Sequence, residues 1–251
     1  MGESCFACGL GDFEISRGGV TPPLHINKEN IMPEINYDKL QEFLTSLVPP
    51  REPEMQAMEK YAEEHDFPIL GPVSGYYCYQ LAVILKARSV FEMGSGYGYS
   101  TAWFAKAVKE TCAELGRSDG GGVVHHTVWD EKLSKMAVDH LSRLGYADIM
   151  KYHMAEAVAT LRQTEGPFDI IFNDIDKKAY PESLPIIKEK LRSGGLLIID
   201  NMIWSGRTFD MNNKEESTEA IRQFIHAVTT DPDWIVSLAP LRDGMIVAYK
   251  R

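Results

Sequence analysis

Residues 173–177, Asn-Asp-Ile-Asp-Lys, and residues 199–201, Ile-Asp-Asn, each close an apolar run in carboxylate, amide and amine groups. Carboxylates from the two segments, joined by an amide oxygen, form an all-oxygen donor set. Such a set suits a hard cation such as Mg2+, which keeps waters or substrate oxygens in its shell. Neither segment contains Cys or His, so a soft metal is not expected. A cation there lowers the pKa of a bound hydroxyl. Lys177, one residue beyond Asp176, can take the proton if burial and the cation's charge depress its own pKa. Acids and lysines at strand ends are also ordinary solvated loop residues. Their recurrence at the ends of two strands of one sheet favours a site.

A third polar cluster lies in residues 91–101, FEMGSGYGYST, where Glu92 is followed by Gly94, Gly96 and Gly98. This spacing, ExGxGxG, differs from the GxGxxG of a dinucleotide turn. A carboxylate facing a diphosphate would repel it, so Glu92 suits a cationic or hydroxyl-bearing ligand better. The glycines alone decide little.

These clusters need a scaffold that brings strand ends together. Seven short apolar runs read as strands: KARSVFEM, VVHHTV, IMKYHM, FDIIFND, GGLLIID, WIVSLAPL and GMIVAYKR. Between and before them, helical spacing marks YDKLQEFLTSLV, MQAMEKYAEEH, GPVSGYYCYQLAVILKA, TAWFAKAVKETCAEL, DEKLSKMAVDHLSRLGY, AVATLRQ, YPESLPIIKEKLRS and STEAIRQFIHAVTT. Asp130 is placed to cap the fifth of these. The alternation predicts an α/β fold, a doubly wound, Rossmann-like, seven-stranded and mostly parallel sheet, with a C-terminal antiparallel hairpin. Ligands of such sheets bind beyond the carboxyl ends of the strands, where the strand order reverses.

The chain has 251 residues, 44% of them hydrophobic, enough to bury a substantial core. Residues 1–34, rich in Gly, Pro and polar residues, read as an extension that orders on a partner or over the site, and residues 35–251 as the catalytic domain. The four cysteines are too scattered for a disulfide framework, and the Cys5/Cys8 pair has no second pair or nearby His to complete a zinc site. No apolar run is long enough to span a membrane, and no basic region precedes an apolar one at the start, so a cytoplasmic protein is expected. The formal net charge of −10 opposes attraction to phosphate backbones, and nucleic acid is not an expected partner.

From Tyr37 to Arg251 the sequence resembles the cation-dependent O-methyltransferases, the family of catechol and caffeoyl-coenzyme A O-methyltransferases. The resemblance rests on FEMGSGYGYSTAWFA, on NDIDKKAYPESLPIIKEKLRSGGLLIIDNMIWSGR and on the closing LAPLRDGMIVAYKR. It implies the class I S-adenosylmethionine methyltransferase fold. It also implies that Asp174, Asp200 and Asn201 bind a divalent cation, Mg2+ first and Mn2+ or Ca2+ as alternatives, with Lys177 as general base. Glu92, the backbone of Gly94 and Ser95, and the Ser100 hydroxyl would hold the amino acid end of S-adenosylmethionine. Asp176 would lie near the same group, and Glu156 with Ala157 would border the adenine. The implied reaction is direct methyl transfer to a hydroxyl of a small catechol-like phenol, and the implied assembly is a homodimer.

One position departs from the family pattern. Where relatives carry an acid that grips the ribose hydroxyls, this chain has Val128. Loss of a charged bidentate contact weakens binding by about 1.5–3 kcal/mol. Asp130 could substitute if the strand end is rebuilt, and the neighbouring Trp129 either stacks on adenine or packs in the core. Tyr76, Tyr77, Trp204 and Arg207 either line an aromatic acceptor pocket or pack at an interface. Two other readings stand beside this one. Some family members methylate a hydroxylated uridine in transfer RNA, which the acidic chain disfavours. A cofactor-binding homologue with lost or altered catalysis is suggested by Val128 and opposed by the intact set of metal and lysine residues.

Overall fold

The protein is described by a computed structural model over residues 36–116 and 121–251. Residues 1–34, and with them Cys5 and Cys8, lie outside the described residues. The chain divides into two units, Met1–Gln41 and Glu42–Arg251. Helix α1, Tyr37–Ser46, runs across that division. The second unit carries the remaining elements: α2 (Pro53–His65), α3 (Gly71–Leu85), β1 (Ser89–Met93), α4 (Tyr99–Glu114), β2 (Val123–Thr127), α5 (Glu131–Arg143), β3 (Met150–His153), α6 (Ala157–Gln163), β4 (Phe168–Asn173), α7 (Tyr180–Lys190), β5 (Leu191–Ile199), α8 (Glu216–Thr230), β6 (Trp234–Ala239) and β7 (Met245–Lys250). No described helix is long and apolar enough to cross a membrane.

The seven strands form one sheet in the order β3-β2-β1-β4-β5-β7-β6. The first five are parallel, and β7 runs antiparallel to both β5 and β6. Strand β1 therefore lies between β2 and β4, at the point where the order reverses, and a crevice opens beyond the carboxyl ends there.

Side chains along each strand alternate between two cores. Val90, Ile170, Phe172 and Ile198 join the cluster packed with α2, α3 and α4, while Phe91, Ile171, Leu197 and Ile199 join the one packed with α6, α7 and α8. Both faces are covered, which is why these strands read as unbroken apolar runs rather than alternating ones. Each such side chain contributes on the order of 1.5–3 kcal/mol on full burial.

The helix expected over YPESLPIIKEKLRS ends three residues early. Leu191 leaves it to pair with Phe168 at the start of β4, and the register then shifts before Ile170 meets Leu196. Local periodicity favours helix through Ser193, but pairing with β4 and burial of Leu191 in the core override it.

Candidate active site

The turn after β1 is built on close approach. Gly94 has φ 83°, and a Cβ there would stand 2.4 Å from the Asp174 carbonyl oxygen, so only glycine lets the ends of β1 and β4 meet this closely. The Ser95 amide donates to the Thr127 carbonyl at 2.9 Å, and the Ser95 hydroxyl accepts from the Thr127 amide at 2.9 Å, tying the turn to β2. On the other side, the Asp174 amide donates to Met93 O at 2.9 Å and the Asp200 amide to Asn173 O at 3.3 Å. The three polar clusters therefore converge.

They surround a cavity of about 630 Å3. Gly94, Ser95 and Ser100 border it from the glycine turn, and Trp129, Glu156 and Ala157 from the ends of β2 and β3. Asp174, Asp176, Lys177 and Asn201 border it from the ends of β4 and β5. Two expected site residues do not border it: Glu92 and Asp200 are buried.

The Lys177 amine lies 2.6 Å from Asp174 Oδ1 and 3.2 Å from Ile175 O, and its side chain is largely buried. It also stands 5.2 Å from the ring centre of Tyr180 and 5.7 Å from that of Trp204. Both carboxylate oxygens of Asp200 are buried without a hydrogen-bond partner, and Oδ2 is ion-paired with the Arg242 guanidinium at 3.6 Å. Burial, reinforced by the Asp174 carboxylate, pushes the Asp200 carboxyl above its ordinary range. Among the described residues there is no cluster of three or more His, Cys, Asp or Glu disposed to hold a metal. The expected set has only two carboxylates, completed by an amide. Its chemistry fits a hard cation, because both Asp200 oxygens are buried without a hydrogen bond and have one ion pair among the described residues, to Arg242 at 3.6 Å, to offset that burial.

Glu92 has a different environment. Thr101 Oγ1 donates to its Oε2, while Oε1 has no partner. Burial raises its pKa to about 7, against the pull of the Ser100, Thr101 and Ser95 hydroxyls. Thr101 Oγ1 is also 3.1 Å from His126 Nδ1, and burial lowers His126 to about 3. A carboxyl raised this far is expected to shift toward its ionised form when a cationic group is brought to it.

Several side chains already have structural work. The Glu156 carboxylate caps α6 by accepting from the amides of Val158 and Ala159, and Asp176 accepts from the Lys178 amide. Asp130 caps α5 through the Leu133 amide at 2.8 Å and does not border the cavity, so it does not replace the missing acid. Val128 is buried against the cavity, its amide bound to His153 O at 3.0 Å. Trp129 is 84% exposed, which removes the core alternative for it. Of the four aromatic and cationic candidates, only Trp204 borders the cavity; Arg207 stacks on it at 5.4 Å, and Tyr76 and Tyr77 pack against the first core.

Two parts of the wall were not anticipated from sequence. Phe67, Pro68, Ile69 and Leu70 form an apolar edge in the connection between α2 and α3. An apolar run in a short inter-helix loop is itself an available signal, since loops are ordinarily polar. The other is Arg242, in the β6–β7 turn.

Comparison with known proteins accords with this geometry. Residues 55–251 match the O-methyltransferase family. A catechol O-methyltransferase of Niastella koreensis is 28% identical over 188 residues, covering 71% of this chain and 80% of that one. Caffeoyl-CoA O-methyltransferase 1 of Eucalyptus globulus is 25% identical over 224 residues, 84% of this chain and 87% of that one. Among solved structures, the O-methyltransferase of Bacillus cereus in complex with SAH superposes with a TM-score of 0.74 at 22% identity, covering 85% of this chain and 97% of that one. The O-methyltransferase TomG of Streptomyces achromogenes, in complex with SAM, gives 0.75 at 21% identity, covering 88% and 99%. The chain belongs to the O-methyltransferase family and is an enzyme of that class.

Proposed function

We propose that this enzyme transfers a methyl group from S-adenosylmethionine to a hydroxyl of a small catechol-like phenol, with a divalent cation as cofactor and Lys177 as general base. The observation that carries this reading is one cavity bordered at one end by the glycine turn and at the other by Asp174, Lys177 and Asn201, with Asp200 buried and without a hydrogen bond. The catechol and caffeoyl-CoA names of the relatives support the acceptor class.

In this reading Glu92 ionises against the ammonium of the methyl donor, and Gly94, Ser95, Ser100 and Asp176 border its amino acid end. Trp129, Glu156 and Ala157 border the adenine, with Val128 presenting an apolar wall to the ribose. Asp174, Asp200 and Asn201 hold the cation, Mg2+ by its donor chemistry. A cation held by these residues would lower the pKa of the acceptor hydroxyl and would share the Asp174 carboxylate that now pairs with Lys177. Lys177, after releasing its ammonium proton to solvent, would take the proton of the acceptor hydroxyl at Nζ. The phenolate oxygen forms a bond to the methyl carbon as the carbon–sulfur bond breaks, its electron pair remaining on sulfur to give S-adenosylhomocysteine. Fixing donor and acceptor in one enclosed cavity supplies much of the rate. We further propose a cytoplasmic homodimer.

Isothermal titration with S-adenosylhomocysteine tests the donor half of this reading. Micromolar binding, abolished by filling the cavity through Ala157→Trp, is expected. A folded protein that binds neither S-adenosylmethionine nor S-adenosylhomocysteine would overturn it.

A further inference from the structure

Glu92, His126 and Tyr152 stand in register on β1, β2 and β3, so their side chains form one row on the sheet face that α4 covers. The row is polar inside an apolar core. Glu92 and His126 are fully buried, and so is Thr101, which reaches the row from α4. Buried polar groups are costly unless hydrogen-bonded, so the direction of each bond here matters.

Thr101 Oγ1 joins the two strands. It donates to Glu92 Oε2 and lies 3.1 Å from His126 Nδ1. A hydroxyl carries one hydrogen, so an Oγ1 that donates to Glu92 meets His126 only as an acceptor. His126 Nδ1 must then carry the imidazole proton, leaving Nε2 as a lone pair. The opposite tautomer would bury an N–H at Nε2, which has no partner among the described residues, and would leave Nδ1 facing a hydroxyl turned away from it. Burial, with a smaller contribution from His153 on β3, lowers His126 to about 3 and keeps the ring neutral. The other groups acting on Glu92 are the Ser95 and Ser100 hydroxyls, the Asp174 carboxylate from β4 and the Cys78 thiol from α3. Asp174 opposes a charge on Glu92, so hydroxyl donors must hold its ionised form.

We propose that His126, acting through Thr101, is a positioning residue of the donor site: its Nδ1–H fixes the Thr101 hydroxyl on Glu92 and so prepares that carboxylate for the donor ammonium. This rests on the placement of the ammonium at Glu92 proposed above and extends it to two side chains that do not border the cavity.

Two ligands separate this role from a merely structural one, since S-adenosylhomocysteine carries the ammonium and methylthioadenosine lacks the whole amino acid. Thr101→Val, which keeps the shape and removes the hydroxyl, is expected to weaken S-adenosylhomocysteine binding to the full-length protein about tenfold and to leave methylthioadenosine binding unchanged. His126→Leu should do the same alone and add nothing in the Thr101→Val background, because its effect passes through the hydroxyl. His126→Asn, whose amide N–H stands in for Nδ1–H, should recover most of the affinity. Equal losses for both ligands, or additive losses in the double variant, would overturn the proposal. Nitrogen-15 spectra of histidine-labelled wild type with S-adenosylhomocysteine need no variant: His126 is expected to be protonated at Nδ1 and bare at Nε2, and the reverse tautomer or a doubly protonated ring would overturn it too. Failure of the wild type to bind S-adenosylhomocysteine would sink the donor reading along with this proposal, whereas the other outcomes sink this proposal alone.

Discussion

The Lys177 ammonium lies 2.6 Å from the Asp174 carboxylate, three residues earlier in the chain. A base must be unprotonated to act, and an ion pair with Asp174 opposes that. A cation held by Asp174 would weaken that ion pair. Lys177→Ala is therefore expected to lower kcat by about 10²–10⁴ with a much smaller change in KM. Lys177→Arg should not rescue it, because guanidinium keeps the charge but does not accept a proton. Unchanged turnover at saturating acceptor would remove Lys177 from the mechanism.

Asp200 offers a test that needs no substrate. Its carboxylate is buried, among the described residues with no hydrogen-bond partner and only the Arg242 ion pair at 3.6 Å, an arrangement that a bound metal cation would stabilise. With EDTA present, Asp200→Asn should unfold at a higher temperature than the wild type. Adding Mg2+ at a hundredfold excess over Kd should raise the wild-type Tm by roughly 5–10 °C and leave Asp200→Asn nearly unmoved. Thermal unfolding in matched buffers reads both effects, and equal Mg2+ responses would exclude Asp200 as a ligand.

Glu92 sets a pH dependence. Its carboxyl titrates near 7 in the folded protein, raised by burial from an ordinary 4.5. The folded chain therefore holds a proton that the unfolded chain has lost between about pH 4.5 and 7. This contribution to stability declines as pH rises through that window. His126 acts oppositely: lowered from 6.5 to about 3, it makes stability decline as pH falls below 6.5. Urea denaturation of the wild type minus Glu92→Gln isolates the first slope. For binding, an ammonium-bearing ligand needs the carboxylate. S-adenosylhomocysteine affinity should climb toward tenfold per pH unit below about 7 and level off above it, and Glu92→Gln should flatten the profile.

Much of the fold was legible because its strands are buried on both faces. Runs such as FDIIF and LLII can be read from composition, and the helices between them from their spacing. The end of α7 was not, since pairing of Leu191 with Phe168 is a long-range contact that no local pattern reveals. At the site, Asp174, Lys177 and Asn201 were legible as strand-end chemistry and do border one cavity. What was hidden depends on neighbours far away in sequence. Thr101 links Glu92 to His126 across three elements, Asp130 is used up as a helix cap, and Arg242 looks like an ordinary turn residue until the cavity it borders is seen.

Transfer of a radiolabelled methyl group from S-adenosylmethionine to 3,4-dihydroxybenzoate or catechol, by the purified protein with Mg2+, after EDTA, and after restoring Mg2+, is the most direct test. The proposed chemistry requires labelled ether product with Mg2+, its loss with EDTA and its return on re-addition. Folded protein that binds S-adenosylhomocysteine yet methylates neither phenol, or does so undiminished in EDTA, would contradict it.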